Sequence, residues 1–82
     1  MLTEPILSYL NQAARESRVA MPDRDASLFD AGLLDSFSLV EFVSLIEEEY
    51  GLRVSDAELK PSNFDSIAKI ETFVTKAGVA DL

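Results

Sequence analysis

A chain of 82 residues with 48% apolar side chains, three glycines and three prolines suffices for one compact domain, spanning 1–82, and is too short for two; such a domain buries about 60 to 65% of its unfolded surface. Cysteine and histidine are both absent, which excludes disulfide frameworks, thiolate nucleophiles, zinc sites built on Cys and His, and the usual near-neutral general base. Seven basic against fifteen acidic side chains leave a net charge of −8, a sign that argues against nucleic acid and anionic membranes as partners and suits basic patches on other proteins.

Thr3 is placed to cap a first helix with Pro5 in its opening turn, and Ile6, Leu10, Ala13, Ala14 and Ser17 recur at helical spacing, which predicts a helix over 4–17. The early Glu4, with no basic stretch and no long apolar run beside it, predicts neither a signal peptide nor a membrane span, and a cytoplasmic location. From Arg18 to Asp35 the periodicity breaks around Pro22 and Gly32, so a long loop is expected. Loops of that length in a compact domain are held by their own side chains, and Leu28, Phe29, Leu33 and Leu34 are the candidates.

Leu39, Phe42, Val43, Ile46 and Tyr50 form one stripe of a second helix over 36–50, with Asp35 or Ser36 at its start and Gly51 just past its end. DAELK, opened by Ser55 or Asp56 and stopped by Pro61, predicts a short third helix of one or two turns. Asp65 or Ser66 starts a fourth, in which Ile67, Ile70, Phe73, Val74 and Ala77 share a face until Gly78. Amphipathic helices must bury their apolar faces against one another, so the expected class is all-α: a small four-helix bundle with a long first connection and a short third helix.

The segment AGLLDSFSLVEF delivers a hydroxyl, Ser36, from a long loop to the first turn of a helix with acidic flanks. The Asp35-Ser36-Phe37 run resembles the phosphopantetheine attachment site of the acyl carrier and peptidyl carrier protein superfamily. LFDAGLLDSF, SLVEFVSLIEEEYG and LKPSNFDSIAKIETFV follow in the same order as in that superfamily, over 28–74. GLLDSF is more similar to D-alanyl carriers and other freestanding or peptidyl-type carriers than to the fatty-acid carriers, whose usual form is GADSL; Phe37 stands where Leu or Met is more familiar. The resemblance implies a carrier that is not itself an enzyme, with a 4'-phosphopantetheine arm from coenzyme A on Ser36, Asp35 in support, and an acyl or aminoacyl group held as a thioester. It implies two kinds of partner, a phosphopantetheinyl transferase and an acyl or aminoacyl ligase or synthase with a basic docking patch, and a monomer.

The residues give a parallel argument. A carrier of activated acyl groups needs a thiol, this chain has none, and a serine at a helix N-terminus is a favourable place to attach one through a phosphodiester. Without a histidine nothing here activates Ser36, so the base and the magnesium ion must come from the transferase. On position alone Ser36 reads as a plain N-cap, and Asp35 as a cap or as a support for the serine or the transferase-bound metal. Phe37 and Val40 lie off the apolar stripe and suit partner docking or peripheral packing under the loop; Glu41, Glu47, Glu48 and Glu49 form an acidic docking face or an ordinary solvated one. A cofactor-free helical adaptor with an apolar groove is the alternative of a different class. An enzyme using paired carboxylates such as Asp30 and Asp35 lacks a nucleophile with a base beside it, and no metal site is expected.

Overall fold

The computed structural model describes residues 2–78, which hold four helices and no strand: α1 (Glu4–Ser17), α2 (Ser36–Tyr50), α3 (Pro61–Phe64) and α4 (Ile67–Lys76). α1 buries a narrow stripe of Ile6, Leu10 and Ala14, while Ala13 is half-buried and Ser17 exposed. Thr3 is the N-cap by position, but its side chain makes no capping bond. Its backbone N–H instead donates to the Tyr50 hydroxyl at 3.1 Å, which ties the start of α1 to the end of α2. α1 stops at Arg18, whose left-handed φ of 58° turns its N–H back onto the Ala14 and Arg15 carbonyls.

The long loop is anchored twice. Leu28, Leu33 and Leu34 are buried and Phe29 packs against the core from the side, as their spacing predicted. A polar latch then ties the loop to the corner between α3 and α4. The Asp65 carboxylate accepts from the Ser27 hydroxyl at 2.7 Å and from the Phe29 N–H at 3.3 Å, and the Asp65 carbonyl accepts from the Leu28 N–H. Beside it the Ala68 N–H donates to the Arg24 carbonyl and the Arg24 guanidinium pairs with Glu71. Gly32, at φ 83°, makes the turn that brings the Leu33 and Leu34 N–H groups back to the Leu28 carbonyl.

α3 lies later than the sequence suggested. Pro61 opens this helix instead of ending one: it takes the first helical position, where its missing N–H costs nothing, and it forces Lys60 into extended backbone (φ −138°, ψ 147°). DAELK forms a turn closed by Ser55 and Glu58, with the Ser55 hydroxyl donating to the Glu58 carboxylate at 2.9 Å. α4 is capped by the Ser66 hydroxyl, which accepts from the Lys69 N–H at 3.1 Å. It ends one residue early, so that Ala77, expected on the buried face, is an exposed C-cap.

All four helices and the loop contribute to one core, with Phe42, Phe64, Ile6, Leu10, Leu28, Ile46, Ile70 and Val74 fully enclosed. Each such side chain contributes about 1.5 to 3 kcal/mol by leaving water. Tilted ring pairs, Tyr9 with Phe42 at 5.3 Å and Phe64 with Phe73 at 5.0 Å, join α1 to α2 and α3 to α4.

Candidate functional site

α2 buries Leu39, Phe42, Val43 and Ile46, and this fixes what its remaining face presents. The start of the helix is set by Asp35, not Ser36. Asp35 Oδ1 accepts from the Phe37 and Ser38 N–H groups, both at 2.9 Å. Ser38 completes a capping box: its Oγ accepts from the Asp35 N–H at 2.9 Å and donates to Asp35 Oδ1 at 3.2 Å. These N–H groups hold the Asp35 carboxyl below the usual aspartate range, the Ser38 N–H contributing most.

Ser36 is thereby relieved of the capping role that its position alone allowed. It sits at the first helical position, exposed, and its hydroxyl makes no hydrogen bond among the described residues. The role of Ser38 went unread in the sequence, although the three-residue spacing from Asp35 was a signal for it. The Phe37 and Ser38 N–H groups that would have received a phosphodiester anion are already taken by the Asp35 carboxylate.

Phe37 is 88% exposed and Val40 55% exposed, so neither packs under the loop. Val40 lies one turn beyond Ser36, and Glu41 and Glu48 continue the ridge that Phe37 begins. Glu41, Glu48 and Glu49 are exposed. Glu47 departs from the expected solvated row: it is half-buried and its Oε2 accepts from the Val54 N–H at 2.8 Å, bracketing the chain that leaves α2.

A groove of about 480 Å³ opens where the end of α1 meets the start of α2, lined by Tyr9, Glu16, Asp35, Ser38 and Glu41 among others. Burial pushes the Tyr9 phenol up, and the charges of Glu41, Asp35 and Glu16 push it further. The α1 contribution, Tyr9 and Glu16, was invisible in a sequence where those residues stand far from Ser36. Among the described residues no group of three or more acidic side chains is arranged to hold a metal ion, and no helix is long and apolar enough to cross a membrane.

Chemically the site offers one exposed primary hydroxyl, hydrogen-bonded to no base among the described residues, at a capped helix start. That suits a residue modified by another enzyme and fits a phosphate ester that leads a long arm away into solvent, because Ser36 is exposed and its hydroxyl makes no hydrogen bond among the described residues. The cofactor would supply the thiol that the sequence lacks.

Comparison with known proteins points the same way. The family described as "Phosphopantetheine attachment site" matches residues 7–74. A D-alanyl carrier protein of Abiotrophia defectiva is 32% identical over 92% of this chain and 94% of its own length. D-alanyl carrier proteins of Streptococcus pyogenes, among them serotype M5 (strain Manfredo) and serotype M1, are 29% identical over 84% of this chain and 85% of theirs. No solved structure matches. A family match running from within α1 into α4, over an all-helical fold with an exposed serine at the start of α2, means that the chain belongs to the phosphopantetheine attachment-site family and is a carrier protein whose cofactor is covalent 4'-phosphopantetheine.

Proposed function

We propose that Ser36 is the residue that bears the arm, that 1–82 works as a single carrier domain in the cytoplasm, and that its cargo is an aminoacyl group, D-alanyl by analogy with the carriers it resembles. The observation that carries the assignment is the division of labour at the start of α2: Asp35 and Ser38 do all the capping, and the Ser36 hydroxyl is left exposed and unengaged. In the modification the Ser36 oxygen forms a bond to the pantetheine-side phosphorus of coenzyme A as the bond from that phosphorus to adenosine 3',5'-bisphosphate breaks. The Ser36 proton passes to a base on the transferase, since no base is hydrogen-bonded to the Ser36 hydroxyl among the described residues. The chain catalyses nothing itself; it presents the arm, and a phosphopantetheinyl transferase and an aminoacyl ligase act on it.

Phe37 and Val40 supply apolar contact beside the attachment point, with Glu41 and Glu48 as the charged rim that a basic docking patch meets. Glu47 has a smaller share, because its carboxylate already holds the Val54 N–H. A cofactor-free adaptor would use the same apolar pair but gives no reason for an unengaged hydroxyl between two capping residues. Incubation with coenzyme A and a broad-specificity transferase is expected to add one phosphopantetheinyl group to wild type and to Ser38→Ala, and none to Ser36→Ala. An unchanged wild-type mass with several transferases would defeat the carrier reading, and an unchanged yield for Ser36→Ala would move the attachment elsewhere.

A further inference from the structure

We propose that Ser38 is a positioning residue for the loading of Ser36. Its hydroxyl fixes the backbone of 35–38 and the Asp35 carboxylate in the one arrangement that leaves the Ser36 hydroxyl free. The inference rests on Ser36 being the attachment residue and adds a neighbour that no resemblance assigns.

The geometry is economical. Every hydrogen bond made by the Asp35 side chain falls on Oδ1, from the Phe37 N–H, the Ser38 N–H and the Ser38 hydroxyl. Oδ2 makes none among the described residues. The Ser38 hydroxyl also accepts from the Asp35 N–H, so a single side chain closes the loop of bonds around Ser36 and Phe37, the two residues between them. Asp35 itself is in extended backbone (φ −143°, ψ −175°), the geometry of an N-cap, and Ser36 follows as the first helical residue.

Without the Ser38 hydroxyl, the Asp35 N–H loses its partner and Asp35 Oδ1 loses one of its three donors. The first turn then exchanges between capped and frayed forms. In the frayed form Ser36 becomes a competent N-cap itself, because serine at that position readily accepts from N–H groups two and three residues on. A serine engaged in that way is not presented to a transferase. Only the capped fraction is competent, and the apparent affinity of the transferase for the carrier falls by that fraction, while the chemistry on a correctly bound Ser36 is unchanged.

The prediction is therefore a split between KM and kcat. Threonine and valine at position 38 have the same shape and differ in the hydroxyl, so they separate the hydrogen bonds from packing and from the cost of a β-branched residue in the first turn. With coenzyme A saturating, Ser38→Val is expected to raise KM for the carrier about 3- to 10-fold with kcat close to wild type, the range that loss of one capping group implies. Ser38→Thr should restore KM to within about 2-fold of wild type. In parallel, amide hydrogen exchange at Phe37 and Ser38 should quicken in the valine variant and not in the threonine one, while far-ultraviolet circular dichroism shows both folded. If both variants load with the same KM, or if the valine loss lies in kcat alone, Ser38 is only a helix cap and the proposal is overturned. Should wild type itself fail to load, the assignment of Ser36 is what has failed, a result separate from any difference between the two variants.

Discussion

At the scale of single residues the start of α2 is an electrostatic arrangement as well as a geometric one. The Ser38 and Phe37 N–H groups stabilise the Asp35 carboxylate and lower its pKa in the folded chain. A carboxyl depressed on folding adds stability that is full above its unfolded value, about 4, and that disappears as pH falls through the folded value. Glu58, held down by Ser55, and Glu71, held down chiefly by Arg24, act in the same direction and the same window. Asp35→Asn keeps a carbonyl oxygen for the cap but cannot titrate, and asparagine caps helices nearly as well as aspartate. The variant is expected to melt close to wild type near neutrality and to lose less stability on acidification below about pH 4, since one of the titrating groups is gone. Thermal midpoints of the two proteins followed from about pH 7 down to pH 2 provide the check, and parallel curves would mean that Asp35 gains nothing from its cap.

At the scale of elements, α2 is held by its buried face and α4 by the loop latched across it. Phe42 is fully enclosed and in tilted ring contact with Tyr9, so Phe42→Ala is expected to cost about 3 to 5 kcal/mol in urea unfolding, a large share of what so small a domain has. Glu48→Ala, on the exposed ridge, is expected to stay within about 0.5 kcal/mol of wild type. Equal losses in the two variants would reverse the assignment of faces. Asp65 is the hinge pin of the latch, and Asp65→Ala strands the Ser27 hydroxyl and the Phe29 N–H together. Amide exchange at 27–31 should then quicken well beyond that of α2; a uniform change across the chain would mean that the latch has no local role. The limits of α1 and α2 were legible because each has a 3.6-residue apolar stripe ending at a clear break, Arg18 and Gly51. α3 was misplaced because proline both ends and begins helices, and a four-residue helix has too little periodicity to choose between the two. The latch was illegible for a different reason: Ser27 and Asp65 stand 38 residues apart, and no local pattern pairs them. At the site, the exposure of Phe37 and Val40 follows from their place off the helical stripe, while Ser36 is marked by the family resemblance and not by the stripe, and the bracket made by Glu47 depends on where the chain turns after Gly51.

At the scale of the whole molecule, the lysines are set apart from α2. α2 carries no basic residue, whereas every lysine in the chain, Lys60, Lys69 and Lys76, lies on or beside α3 and α4, with Lys69 and Lys76 lining one groove there. A chain of net charge −8 whose second helix holds Glu41, Glu47, Glu48 and Glu49 and no basic residue has a local field that turns α2 toward a positively charged partner, with Arg15 and Arg18 at the end of α1 and Arg53 after α2 as the nearest cations in sequence to its two ends. Such steering acts on association rate, and single exposed charges contribute too little to see, so several must be reversed together. Glu41 and Glu48 are the pair to reverse, because both are exposed, whereas Glu47 is needed to hold Val54. Loading of wild type is expected to slow as salt rises and the screening length shrinks to about 8 to 10 Å or less, and Glu41→Lys, Glu48→Lys should load more slowly at low salt with a flatter dependence. Lys69→Glu, Lys76→Glu is the decisive control: it changes net charge by the same amount in the opposite sense and leaves α2 untouched. If net charge alone sets the rate, this second variant loads faster than wild type with a steeper salt slope. If the local field of α2 sets it, the second variant tracks wild type while the first does not. Coincidence of all three curves would reduce the acidic ridge to a solubility feature and leave recognition to Phe37, Val40 and the loop before Ser36.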